Sequence, residues 1–467
     1  MGVNRIIVMM TIWPPVQLKG DGPLYLQLAE GLAQAIASGL LAPGERLPTH
    51  RDLADRLGVT VGTVSRAYAE AAERGLVSGE VGRGTFVRAP VAAPRAEPGL
   101  LDLSANHPPA FEDPELRAAV ERGLVALARS AQLLEALDYP ADGGNPRDRE
   151  AGARWIARAG LAVRADDVLV SSGSQHGITT VLGTLLAPGE LLLAEELTFP
   201  GLKAVAGLLH LRLKGLPLDE HGLRPDAFED ACRGGEARAL YVVPTIHNPT
   251  GAVMPEARRR EIAEIARASG VAIVEDDIHS LLPEERPRPI AAFAPERSYY
   301  LMSTSKIFVP GLRVAYLAGP EGMFPRLAAS LRATAWAAPP LMAALASAWI
   351  EDGTAEALLR DRRRAAAARQ ARARERLAGL RFDADPASYF VWLHLPEPWR
   401  SDTFATEVRA RGLAVTPAEA FLVGRGAVPP AVRVCVGAAR SAAELDRALA
   451  AVTGALAGGR EGAGAVV

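Results

Sequence analysis

Ser303-Thr304-Ser305-Lys306 closes an apolar stretch, Tyr299–Ser303, that reads as a buried strand. A lysine in such a place is ordinarily a solvated surface charge. Drawn into a crevice beside other cations, the same amine loses its proton more readily and can condense with a carbonyl. Four further stretches, each at a predicted strand end, favour that second reading. Ser172-Gly173-Ser174-Gln175 follows the strand Val168–Ser171 and opens a helix, where free backbone N–H groups can cradle a phosphate. His247-Asn248-Pro249-Thr250-Gly251 follows the strand Leu240–Pro244, and there Asn248 either makes an Asx turn or faces a ligand. Glu275-Asp276-Asp277 ends the strand Val271–Glu275, three acids where a sheet meets its crevice. Arg313, seven residues after Lys306, is a surface charge or a second phosphate ligand.

The elements that must hold these residues alternate. Strands at Val168–Ser171, Leu191–Ala194, Leu240–Pro244, Val271–Glu275, Tyr299–Ser303 and Val314–Leu317 are separated by helical stretches such as Pro255–Ser269. This βα order predicts an α/β domain over 101–457, built on a mostly parallel sheet covered on both faces. A smaller α+β part (about 330–457) contains a long Ala/Arg-rich helix, about Ala355 to Ala378, that leads into a final α+β segment ending near Gly458, and the Gly-rich tail beyond is expected to be disordered.

Residues 20–88 follow a different pattern. Leu24, Leu28, Leu32 and Ile36 repeat at helical spacing, a short helix from Arg51 ends at Gly58, and Thr60 can cap a helix through Glu73. Two short helices joined by a tight turn are a helix-turn-helix. Leu76-Val77-Ser78 and Thr85-Phe86-Val87 then predict a hairpin, the wing. Residues 89–100 are rich in Pro and Ala and read as a linker.

In this order, the stretches resemble two families joined together. Residues 101–457 look like a fold-type I pyridoxal-phosphate-dependent transferase of aminotransferase type, and 20–88 look like a GntR-type winged helix-turn-helix; the fusion resembles the MocR family. The resemblance implies pyridoxal 5'-phosphate as cofactor, with Lys306 forming a Schiff base with its aldehyde. It implies that Asp276 pairs with the pyridine nitrogen and that Asn248 donates to the phenolate oxygen. Phe199 corresponds to the aromatic stacked on the ring, though plain core packing would also account for it. Ser174, Gln175, Ser303, Ser305 and Arg313 would hold the phosphate, and Tyr139 would reach it from the other subunit of a homodimer. Arg433 matches an arginine that grips a substrate carboxylate; otherwise it is a strand-end surface arginine. One position departs: His279 stands where many relatives carry a tyrosine that bonds the phenolate. Imidazole can donate the same bond while titrating near neutrality, or it is simply satisfied in the wall of the site.

For the winged helix, the resemblance implies operator contacts from Arg51, Thr60, Thr63, Ser65, Arg66, Arg83 and Gly84. Val61 and Ser65 replace arginines common in relatives, so each reading head is expected to bind weakly and to gain from dimerisation. Composition adds no support, because arginines and acidic residues nearly cancel across this segment and the whole chain carries a net charge of −2.

The remaining bounds are broad. With 467 residues, the chain exceeds one ordinary domain of about 150. Its two cysteines, Cys232 and Cys435, argue against a disulfide framework and suit the cytoplasm. No metal-ligand spacing, signal peptide or membrane span is evident, and Met9 or Met10 could be the true start. Two functions fit: a regulator that binds operator DNA and senses an amine, an amino acid or the cofactor itself, or an aminotransferase with an appended winged helix.

Overall fold

The computed structural model describes residues 22–37, 40–42, 44–80, 84–87, 100–110 and 114–463. Arg83, most of the linker, the possible start sites and the last four residues lie outside them. The chain divides into two compact units, residues 1–95 and 96–467.

In the first unit, helices Leu24–Ala37, His50–Leu57 and Val61–Glu73 precede an antiparallel hairpin of Val77–Glu80 with Gly84–Val87. Local chemistry sets the turn between the second and third helices. Gly58 ends one helix at φ 65°, its N–H donating to the Ala54 carbonyl. Two residues later, Thr60 caps the next by accepting from the Thr63 N–H, an arrangement that contributes about 1 kcal/mol. Leu28, Leu32, Leu53, Val64, Tyr68, Val77 and Val87 close one core beneath this turn. Arg46 makes a single antiparallel bridge to Phe86 on the open edge of this hairpin.

The second unit is built on a seven-stranded sheet in the order Val168–Ser171, Ala315–Ala318, Ser298–Ser303, Ala272–Asp276, Ala237–Val242, Leu191–Glu195, Arg212–Leu216. All but Ala315–Ala318 run in one direction, and that strand is antiparallel to both neighbours. Strands Leu191–Glu195 and Ser298–Ser303 are buried along their whole length, and Ala272–Asp276 along all but its first residue, as a sheet covered by helices on both faces requires. The direction of the odd strand matters for the site. Its amino end lies at the carboxyl edge of its neighbours, so Arg313, just before it, joins the residues that follow Ser171, Glu195, Val242, Asp276 and Ser303.

The smaller part carries an antiparallel sheet in the order Phe382–Asp383, Val391–His394, Ala431–Val434, Thr416–Pro417. Helix Thr354–Arg376 runs between the two parts and matches the expected long helix within two residues at each end. At the carboxyl end the structure differs from expectation. Helix Ala442–Ala463 continues through Gly458 and Gly459 instead of giving way to a disordered tail. Leu445, Leu449, Val452 and Leu456 anchor its inner face, and the helix runs on from that anchored stretch across the glycines.

Candidate active site and DNA-binding surface

Lys306 ends a 3-10 turn, Thr304–Lys306, that leaves strand Ser298–Ser303. Its Nζ donates to the Asn106 carbonyl, and its own carbonyl accepts from the Tyr389 hydroxyl at 2.7 Å. Burial pushes the Lys306 amine down to about 8; Arg433 and Arg313 add to that shift, while Cys435 and Asp276 oppose it. This lysine is therefore poised to supply a free amine near neutrality.

Asp276 is the last residue of its strand and is buried. Its Oδ2 accepts from the Tyr241 hydroxyl at 2.6 Å, while Oδ1 has no partner among the described residues. Burial pushes this carboxyl up to about 6, against the Tyr241 hydrogen bond and the charge of Lys306. A buried acceptor without a donor is costly, so the geometry suits an incoming N–H. The flanking acids have other work: Glu275 accepts from the Ile290 and Ala291 N–H groups at 2.9 and 2.8 Å, and Asp277 from the Tyr300 hydroxyl at 3.1 Å.

Gly173 precedes helix Ser174–Leu185 with φ 82°, and a Cβ there would collide with the guanidinium of Arg313. Arg313 itself holds φ 53°, an uncommon conformation for a side-chain-bearing residue. The free N–H groups of a helix start and a guanidinium thus converge on one point, as an anion requires. Ser303 and Ser305 share a 3.0 Å hydroxyl contact nearby in sequence. The Gln175 amide donates to the Gly201 carbonyl at 2.9 Å, and part-buried Phe199 packs at the start of the next helix. Gly173→Ala is expected to weaken binding of a phosphate-bearing ligand at this point at least about tenfold through both strained φ and collision with Arg313. Fluorescence titration with pyridoxal phosphate measures this, and affinity within twofold of wild type would refute the cradle.

Arg433 and Asn248 meet directly. Arg433 Nη1 donates to Asn248 Oδ1 at 2.6 Å and Nη2 to the Ser104 carbonyl at 2.6 Å, with the guanidinium 4.9 Å from the Phe421 ring centre. No carboxylate pairs with Arg433 among the described residues, and its Nε is buried without a partner. Arg433 is 6% exposed, which removes the surface reading. His279 is fully buried, 3.3 Å from Asn106 Nδ2 through its Nε2. Burial pushes its imidazole down to about 3, helped by Lys306, so it stays neutral and does not titrate near pH 7. Tyr139 is 80% exposed, its ring 5.5 Å from that of Trp336.

Sequence reading missed Asn106, Ser104 and Tyr241. Tyr241 was hidden inside a strand pattern. The other two lie in an aperiodic stretch, Asp102–His107, whose position depends on the pairing of Leu101–Asp102 with Leu413–Ala414.

In the other unit, Arg51 and Arg66 are exposed. Thr60 and Thr63 share a 2.9 Å hydroxyl contact, and Ser65 Oγ lies 3.1 Å from His50 Nδ1. Gly84 has φ 123°, with Arg46 Nε 2.9 Å from where its Cβ would be. Val61 is 44% exposed at the first turn of the third helix.

A lysine, a buried aspartate and a phosphate-type cradle gathered at the carboxyl edge of this sheet define an aminotransferase-like domain, here preceded by a winged helix. Residues 98–452 match the family described as aminotransferase class I and II, and residues 24–87 match bacterial regulatory proteins, gntR family. The chain is 30% identical to the HTH-type transcriptional regulator YdeF of Bacillus subtilis, over 94% of this chain and 95% of that one. It is 28% identical to the HTH-type pyridoxine biosynthesis transcriptional regulator PdxR of Corynebacterium glutamicum, over 68% and 71%. LysN, an alpha-aminoadipate aminotransferase from Thermus thermophilus solved with N-(5'-phosphopyridoxyl)-L-leucine, shares 25% identity at a TM-score of 0.68, over 77% and 92%. The chain belongs to the MocR-type regulators, in which a GntR-type DNA-binding domain is fused to an aminotransferase-like domain. No helix among the described residues is long and apolar enough to cross a membrane.

Proposed function

We propose that this regulator holds pyridoxal 5'-phosphate at Lys306 and senses an amine or amino acid there, changing its grip on operator DNA in the cytoplasm. The unpartnered Oδ1 of Asp276 carries the reading, because a buried carboxylate oxygen electrostatically coupled to Lys306 suits the pyridinium N–H of this cofactor. When bound, the group supplies an aldehyde for primary amines and a ring that withdraws electrons. The protein's own residues do the rest. Lys306 offers its amine, Asp276 keeps the ring nitrogen protonated, and Asn248 stands beside the phenolate position with Phe199 against the ring face. Ser174, Gln175, Ser303, Ser305 and Arg313 hold the phosphate, and Arg433 takes a carboxylate. His279, neutral and tied to Asn106, orients that side chain and adds no charge of its own.

The cofactor's arrival is expected to depend on pH in a particular way. Only the neutral amine attacks an aldehyde, so the rate of capture should rise about tenfold per unit as pH increases towards 8, then level off. Below about 6 the Asp276 carboxyl is protonated and no longer a charged acceptor, so affinity should fall as pH drops through that value. Stopped-flow absorbance from pH 5 to 10 tests both limbs. A rate still climbing between pH 9 and 10 would mean an ordinary lysine and defeat the assignment.

A homodimer completes the site. Tyr139 and Trp336 meet ring to ring while 80% and 55% exposed, and Leu134 and Leu137, close to Tyr139 in sequence, are 77% and 66% exposed, apolar surface of the kind a second subunit covers. In the proposed pairing Tyr139 reaches the partner subunit's phosphate. Sedimentation should give a dimer at micromolar concentration; a stable monomer with full cofactor occupancy would rule this out.

A further inference from the structure

Helix Thr354–Arg376 carries two pairs of polar side chains seven residues apart, Arg362 with Arg363 and Arg369 with Gln370, and all four grip backbone carbonyls. Arg362 donates from Nε to Ile307 at 3.1 Å, from Nη2 to Phe308 at 2.7 Å, and from Nη1 to Pro109. Arg363 reaches the carbonyls of Leu281, Leu282 and Pro283 at 2.7 to 3.2 Å. Arg369 donates from Nη1 to Val436 at 3.1 Å and to Ala439 at 2.9 Å. Gln370 donates to Ser388 at 2.9 Å and to Phe390 at 3.0 Å.

These carbonyls belong to the segments that carry the site. Ile307 follows Lys306, Leu281 lies just beyond His279, and Val436 lies just beyond Arg433. The Phe390 ring stands beside both His279 and Arg433. Seven residues are nearly two helical turns, so the two pairs share one face, separated by roughly 10 Å along the axis. Arg362 and Arg369 are 2% and 5% exposed. A guanidinium holding several carbonyls in a fixed fork fixes backbone position in a way that an apolar side chain cannot.

Building on the proposed ligand, we infer that Arg362 and Arg369 are separate positioning residues. Arg362 sets the amine of Lys306, Arg369 sets the guanidinium of Arg433, and the helix between them fixes how far apart the nitrogen and carboxylate of one ligand are bound. Amino acids whose two groups match that spacing are then the favoured class.

The full-length protein and its Arg362→Met and Arg369→Met variants separate the two roles. The probes are pyridoxal phosphate, pyridoxamine phosphate and reduced N-(5'-phosphopyridoxyl)-L-alanine. Arg369→Met should bind the alanine conjugate at least about tenfold more weakly while binding pyridoxamine phosphate within about twofold of wild type. Arg362→Met should move the pH midpoint of pyridoxal phosphate capture by at least about half a unit, with pyridoxamine phosphate again within about twofold. Arg362→Lys and Arg369→Lys keep the charge and one reach to a carbonyl. They should show smaller changes of the same kind, and they report the split if a methionine variant does not fold. Equal losses for all probes, or no change in any variant, would reduce the helix to general support and overturn the inference. A wild type that binds none of the three would overturn the reading of the site, and this inference with it.

Discussion

Replacing Lys306 by alanine is expected to abolish covalent capture of the cofactor while leaving the fold intact. Borohydride treatment of wild type should fix a pyridoxyl group on Lys306 and on no other lysine, as read by peptide mapping; Lys306→Ala should give no label. The cradle of Gly173 and Arg313 proposed for the phosphate, and the Asp276 acceptor, remain in the variant. It should therefore retain some cofactor without the covalent bond. Operator affinity without effector should change by less than about threefold, because the winged helix has its own core and caps. The effector response should be lost. A wild type that turns over amino acids at ordinary enzymatic rates (about 1–10³ per second), with DNA binding indifferent to Lys306, would favour an aminotransferase with an appended domain.

The double replacement Arg51→Ala, Arg66→Ala should do the opposite. Both arginines are exposed, and neither has a resolved role in the core of its unit. Losing each as a phosphate or base contact should cost about 1–3 kcal/mol, so operator affinity should fall at least about thirtyfold while the cofactor spectrum stays unchanged. The dependence of log affinity on log salt should flatten by about one unit per lost phosphate contact. Gel shifts over a range of salt on the DNA upstream of the gene measure both quantities. Unchanged affinity with unchanged salt slope would place the DNA contacts elsewhere on the winged helix.

The parts of the fold legible in the sequence were those set by local chemistry. Gly58 and Thr60 mark the turn between two helices, and continuous apolar runs mark the buried strands at Val168, Leu191 and Ser298. The strand Arg212–Leu216 was missed because it lies at the sheet edge, where charged residues alternate with apolar ones. Within the site, Lys306, Asp276 and Arg313 could be read from their places after or before strands. Asn106 and Ser104 could not. Their stretch lies some 170 residues or more from His279 and over 300 from Arg433, and only tertiary pairing brings them together. The sequence pattern also could not weigh burial, which turns His279 from a pH-sensitive group into a neutral one.

The neutral partners of Arg433 limit how finely such a sensor can discriminate. Its two terminal nitrogens already bond Asn248 Oδ1 and the Ser104 carbonyl. A carboxylate arriving there exchanges bonds to neutral oxygens for bonds to a charged one, and it gains only the difference. Both present bonds are already charge-assisted on the donor side, so the carboxylate gains only its added attraction for the guanidinium, and Asn248 and Ser104 lose a donor in the exchange. On the proposed reading, a net gain of about 1.4 kcal/mol would let an amino acid outcompete its decarboxylated amine about tenfold. Such a receptor tracks metabolite pools across a working range of one decade or so, and an abundant amine can drown the signal.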